Sequence, residues 1–213
     1  MIRSSRSTPT AHADGRVDGF RPAATLTIAT ELRRQARRRR TQLAVGFLAL
    51  LPAILAAAFA IGGGNGTGAS GLIDLATRGA VNFTTFCLLM SVGFLLVVVV
   101  ALFFGDSIAS EASWSSLRYL LTIPIPRSRL LAQKAVVSGV LSVVAIGVLV
   151  VSGLTVGALA YGTGPLVTPF GDSLAVPEAL GRLAIALGYV IVGLAWVAGL
   201  ALLLSVWTDA PLG

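Results

Sequence analysis

The chain has 213 residues, with 16 Lys+Arg against 9 Asp+Glu, 55% apolar residues and only 12% charged. Soluble domains carry about 25% charged residues, so a surface of this composition cannot be kept in water. A disordered chain, a secreted disulfide scaffold and a compact soluble enzyme are excluded together; an all-α, polytopic helical membrane protein remains.

Residues 1–23 are rich in Arg, Ser, Thr, Pro, Gly and Asp without apolar periodicity, which predicts a disordered tail. No apolar core follows directly and no small-residue cleavage site is evident, so the tail does not read as a signal peptide. His12 stands in it without a second ligand, and Cys87 has no partner cysteine, so neither a metal site nor a disulfide is expected.

Ala24 to Gln42 reads as one helix, with Leu26, Ala29 and Leu32 at helical spacing. It ends in a basic cluster, Arg33, Arg34, Arg37, Arg38, Arg39 and Arg40, suited to lying along a membrane surface among anionic headgroups. A basic run can also mark nuclear targeting or nucleic-acid binding, but an apolar span starting at once at Leu43 favours membrane anchoring and no nucleic acid.

Four uncharged stretches follow, at about 43–61, 83–104, 135–160 and 183–207. Each is near or beyond the roughly 20 residues that a spanning helix needs. Pro52 interrupts only the first, where neighbouring helices can compensate the lost hydrogen bond. No charged residue lies within a span, which argues against a proton relay or an ion-coupled secondary transporter. Ten arginines precede the first span, and Arg118, Arg127, Arg129 and Lys134 fall between the second and third. Only Arg78 and Arg182 lie in the other two loops. The asymmetry places the N-terminus and the 105–134 loop in the cytoplasm, in a plasma (inner) membrane protein.

Of the outer loops, residues 62–71 form a glycine-rich turn before a short segment, Leu72 to Arg78. Residues 162–182 hold Pro165, Pro169 and Pro177 and read as an ordered loop or a short capping helix. Gly66 to Gly71 matches the dinucleotide pattern G-x-G-x-x-G, but no βαβ unit surrounds it, so linker is the better reading. Asn65-Gly66-Thr67 fits a glycosylation acceptor; the arginine-rich, lysine-poor composition hints at a high-GC bacterial genome, where the match is accidental. Gly171-Asp172-Ser173-Leu174 and Gly105-Asp106-Ser107-Ile108 resemble a hydrolase serine motif, yet the one histidine, His12, is poorly placed to serve either as base. No G-x-x-x-x-G-K-[ST] pattern exists and Lys134 is the one lysine. Any nucleotide energy must therefore come from another chain.

The 105–134 loop is the informative segment. Asp106 or Ser107 can cap a helix, and Ile123 before Pro124 should end it near Thr122, giving a helix at about 106–122. Glu111, Ser115 and Arg118 share one face, while Trp114, Leu117 and Leu121 share another. An acid on the polar face suits a protein partner better than anionic lipid.

The segment resembles the intracellular loop of ABC-2 type permeases, the membrane subunits of ATP-binding-cassette exporters. The family pattern maps to Glu111, Leu117, Arg118, Leu120-Leu121, Pro124, Arg127 and Lys134, with Ser115-Ser116 standing where Gly-Thr is usual. The N-terminal Glu31-Leu32-Arg33-Arg34, running straight into a span, is similar too. The resemblance covers residues 24–213 as one transmembrane permease domain. Such permeases have six spans; four are counted here, and residues 208–213 resemble the cytoplasmic turn into a fifth.

The resemblance implies that the helix at 106–122 is a coupling helix seated in a groove of a separate ABC ATPase. Glu111, Ser115 and Arg118 would contact or brace against that ATPase, Trp114, Leu117 and Leu121 would dock the helix to its own spans or to the groove, and Pro124 and Arg127 belong to the same ATPase-coupling set. ATP and Mg would belong to the partner, this chain would not be an enzyme, and a second permease copy would complete the path. Gly153 to Gly157 offers a small-xxx-small face for close packing, or equally a lipid-facing helix that tolerates glycine. A non-transporting membrane scaffold or assembly subunit is the alternative function.

Overall fold

The computed structural model describes residues 27–62, 70–113 and 127–207, without side-chain detail at Ser70, 106–113, 127–130 and Val206. Helix α1 spans Ile28–Ala36 and α2 spans Arg39–Gly62. The short α3 covers Ser70–Ala76, followed by α4, Ala80–Val92, and α5, Leu95–Ser113. Helix α6 runs over Arg127–Tyr161, and α7 over Val176–Trp207. Between these last two lies a small antiparallel hairpin, β1 Leu166–Val167 and β2 Ser173–Leu174, pairing Leu166 with Leu174 and Val167 with Ser173.

Helices α2, α6 and α7 are each long and apolar enough to cross a membrane, and α4 with α5 together make a fourth, bent span. The fold is all-α and polytopic. Helix α6 is the axis of the bundle, touching α1, α2, α4 and α5, while α7 lies along α5. Its 35 residues correspond to roughly 52 Å, well beyond a ~30 Å hydrocarbon layer. The core is built from fully buried Leu48 of α2, Phe83 of α4, Leu96 of α5, and Val137, Ile146 and Leu149 of α6. Phe47, Leu50 and Ile54 on α2, and Ile185, Tyr189, Val192 and Trp196 on α7, stay exposed. Such a surface is the kind that lipid tails cover.

Several elements differ from their sequence expectations. The single helix expected over 24–42 breaks at Arg37–Arg38, and its first residues lie outside the described ones. Neither proline nor glycine stands at the break; instead Arg33/Arg37 and Arg34/Arg38 would set like charges four residues apart along a continuous helix. The second span, uncharged and continuous in sequence, bends by 58° between α4 and α5. Gly93 and Phe94 occupy the joint, and two residues before it Ser91 Oγ donates to the Cys87 carbonyl one turn back at 2.6 Å. A glycine combined with a serine bonding back into its own helix is a recognised cause of kinks.

Asp106 and Ser107 start no helix. Helix α5 passes through Gly105 without interruption to Ser113, so the first part of the expected 106–122 helix continues the span. Nothing between Phe104 and Ser113 is a proline, and a cap is used only where the chain leaves the helix. Likewise Arg127 to Lys134 belong to the first turns of α6 rather than to a loop. Of the two expectations for residues 162–182, the structure has the ordered loop, a hairpin within 162–175, and α7 begins at Val176, with Pro177 in its first turn where no amide donor is needed.

The hairpin and the N-terminus of α4 close one end of the bundle. The Asn82 carboxamide acts as a strand edge: Nδ2 donates to the Val167 carbonyl at 2.8 Å, and Oδ1 accepts from the Val167 amide at 3.0 Å. The Ala80 amide donates to the Gly162 carbonyl at 2.9 Å. Below, α6 presses on α4 through its glycines. A methyl at Gly157 would lie 2.9 Å from Ala80 Cα, and one at Gly153 would lie 3.1 Å from Thr84 Cγ2. The small-residue face is thus an internal contact within this chain, which decides between its two readings.

Candidate functional site

The opposite end gathers the basic residues. Helix α1 starts at the cap residue Thr27, whose Oγ1 accepts from the Thr30 amide at 3.4 Å. Glu31 in its first turn and Arg33 and Arg34 in its last complement the helix dipole. Its most deeply buried residues are polar. Glu31 and Gln35, one turn apart, are 6% and 4% exposed, whereas Ile28 is half exposed. Leu32 is partly buried against the core, and beside it charge and amide take part in the contact with α6.

That contact centres on Lys134, itself 4% exposed, whose Nζ lies 3.8 Å from Glu31 Oε1. At this range the two attract by charge rather than by hydrogen bonding. Glu31 is held ready within its own helix. Arg34 Nη2 donates to Oε1 at 3.1 Å, its Nε lies 3.1 Å from Oε2, and Gln35 Nε2 donates to Oε1 at 3.2 Å. Burial alone would raise the Glu31 pKa, but the charges of Lys134 and Arg34 and the bonds from Gln35 and Arg34 outweigh it and hold the carboxyl below its ordinary value. Glu31 is thus ionised at neutral pH despite being buried.

The same end contains the contacts that join the long helices. Ser138 Oγ of α6 donates to the Phe103 carbonyl of α5 at 3.0 Å, and Ser205 Oγ of α7 donates to the Gly105 carbonyl at 2.5 Å. From the Ser138–Phe103 contact, α5 runs on to Ser113 and α6 back to Arg127, about 15 Å each along the helix axis. Both helices therefore continue beyond that contact, at the end at which α1 is docked.

The sequence-nominated residues distribute unevenly over this end. Glu111 lies in the last turns of α5, and Arg127 is the first residue of α6. Trp114, Ser115, Leu117, Arg118, Leu121 and Pro124 lie outside the described residues. In the basic cluster, Arg33, Arg34, Arg37, Arg39 and Arg40 are exposed and Arg38 is half-buried. Arg33 and Arg34 close α1, Arg37 and Arg38 form the break, and Arg39 and Arg40 open α2. Sequence reasoning noted Glu31 and Lys134 separately and missed their pairing, together with Gln35. Two signals were available: Lys134 is the one lysine in the chain, and Glu31 is the one acid among the arginines of 31–40.

A family described as ABC-2 family transporter protein matches residues 27–207 of the chain. No curated protein and no solved structure matches it.

Proposed function

The chain belongs to the ABC-2 transporter family, as a multi-pass membrane subunit that is not itself catalytic, and from that premise we propose that it is an exporter permease driven by a separate ATPase. One observation carries the coupling part of this reading. Helices α5 and α6 both continue beyond the Ser138–Phe103 contact at the basic end, to Ser113 and Arg127, and they flank the 114–126 segment that resembles a coupling helix. A push on that segment has two stiff levers on which to act. For ATP to shift the spans, the ATPase must grip one arrangement of these levers more tightly than another.

In this reading Glu111, Ser115 and Arg118 meet the ATPase, while Trp114, Leu117, Leu121, Pro124 and Arg127 seat the segment on its own helices. ATP and Mg bind in the partner. The exposed arginines of 33–40 lie among anionic headgroups on the cytoplasmic side of the plasma membrane, in keeping with the basic-residue asymmetry. A second permease copy, identical or related, completes the pathway.

The test is association. Glu111→Lys should insert normally yet lose at least about tenfold in affinity for its cognate ATPase, since a repelled charge at a docking face costs on the order of 1.4 kcal/mol or more. Unchanged capture of the ATPase by a well-expressed Glu111→Lys protein would reject the coupling role. Topology is read in parallel from thiol labelling in intact cells: a cysteine at Ser70 should react with an impermeant reagent, and one at Ser128 should not.

A further inference from the structure

We propose that Glu31 and Lys134 form a charged clasp that makes α1 travel with α6, so that any displacement of α6 reaches α2 from both sides. The functional consequence rests on the ATPase-driven reading above; the clasp itself stands on geometry.

Three observations meet here. First, α1 is joined to α2 by a tight turn of two residues, Arg37 and Arg38, so a movement of α1 is passed directly to the start of α2. Second, its most deeply buried residues are charged and polar: Glu31 and Gln35 are buried, while Leu32 is partly buried against the core and Ile28 is half exposed. Third, Lys134 sits in α6 two turns after Arg127, on the lever that leads from the 114–126 segment into the membrane. A charge at that depth is costly unless it is compensated, and Glu31 supplies an opposite charge from another element.

The geometry also suits a joint that must move as a unit. Arg34 and Gln35 fix the carboxylate within α1, and it faces Lys134 Nζ of α6 across 3.8 Å. Attraction between charges falls slowly with distance, so it survives shifts of a few tenths of an ångström that would undo a packed contact. Glu31 and Lys134 are on this view positioning residues. They touch no substrate; they set where α1 and the start of α2 stand when α6 tilts.

The test uses the full-length protein in vesicles with its ATPase, Cys87 replaced by Ser, and spin labels at Arg33 on α1, Val136 on α6 and Trp207 on α7. With wild-type Glu31 and Lys134, addition of a non-hydrolysable ATP analogue should shift both Arg33 and Val136 relative to Trp207 while leaving the Arg33–Val136 distance unchanged. Lys134→Met removes the cation and leaves Glu31 its bonds to Arg34 and Gln35, so the fold should persist. In that variant Val136 should still shift, whereas the shift at Arg33 should fall at least about threefold. Lys134→Arg, which keeps the charge, should restore it, and Glu31→Gln should mimic Lys134→Met. If Arg33 follows Val136 in Lys134→Met as in the wild type, or if Lys134→Arg fails like Lys134→Met, the clasp is wrong. Failure of the wild-type chain to bind the ATPase would instead sink the exporter reading. The clasp would then be decided without nucleotide: a broadened Arg33–Val136 distribution in Lys134→Met supports it, and an unchanged one overturns it.

Discussion

At the hairpin end Gly157 sits so close to α4 that a methyl would meet Ala80 Cα at 2.9 Å, whereas at the basic end α1 is held to α6 by charges 3.8 Å apart. The hairpin end is closed by shape and by backbone-like hydrogen bonds through Asn82. Such contacts are short-ranged, intolerant of added volume and indifferent to protonation. At the basic end, where Ser138 and Ser205 join the long helices, α1 is docked through an ion pair beside a buried amide. It tolerates small displacements, but it depends on the charge state of one carboxylate. A bundle built this way has one end that keeps its geometry and another whose geometry can be biased from outside.

The largest effect should come from adding volume where the contact is tightest. Gly157→Leu forces α6 away from the α4 backbone, and overpacking of this kind costs about 3 kcal/mol or more. Thermal unfolding in detergent should show it as a clear loss of melting temperature, while the α1–α6 distance at the far end stays unchanged. A Gly157→Leu protein that melts like the wild type would mean that α4 and α6 do not approach as described.

Next comes the amide that imitates a strand. Asn82→Leu removes both partners of Val167 and leaves that peptide unit without its side-chain bonds, at a cost of about 2 kcal/mol. The hairpin should loosen from α4, so amide exchange at Val167 should rise at least about tenfold, with little change at α1. Equal rises at both ends would show that they are not independent.

How much of this was legible beforehand follows from the range of the forces involved. The spans were readable because lipid imposes a length and a lack of charge on each of them locally, as in 135–160, which the structure extends to Arg127–Tyr161. Helix bounds at the membrane edge were not, because residues such as Arg127 and Gly105 are helical on account of what precedes or follows them. The 58° bend was hidden in an unbroken apolar run, where one glycine among valines and leucines gives no direction. At the site, Glu111 and the arginine cluster carried visible patterns. The Glu31–Lys134 pair did not, since its members stand more than a hundred positions apart and only the fold brings them together. The Gly153/Gly157 face was visible as a pattern, but its partner, α4, was not.

The smallest effect, and the one that separates the two ends most cleanly, is that of acid. Glu31 has its pKa lowered in the folded protein: burial opposes ionisation, but Lys134, Arg34 and Gln35 together overcome it. A carboxylate with a depressed folded pKa contributes stability that is fully present above its unfolded value, near 4.5, and is lost as pH falls through the folded value. Between pH 8 and 5 the docking of α1 should therefore stay constant, and it should weaken only below about 4.5. Spin labels at Arg33 and Val136 should report a narrow distance at pH 7 that broadens at pH 3.5, reversibly. A second pair at Leu72 and Phe170, near the hairpin, should not respond, because the contacts there involve amides, carbonyls and glycines that do not titrate in this range. Glu31→Gln should abolish the pH dependence at the basic end by fixing the neutral form at every pH. Broadening of both label pairs together at pH 3.5 would point to general acid unfolding and remove the distinction; no broadening at Arg33 would show that the carboxylate charge is not what holds α1 in place.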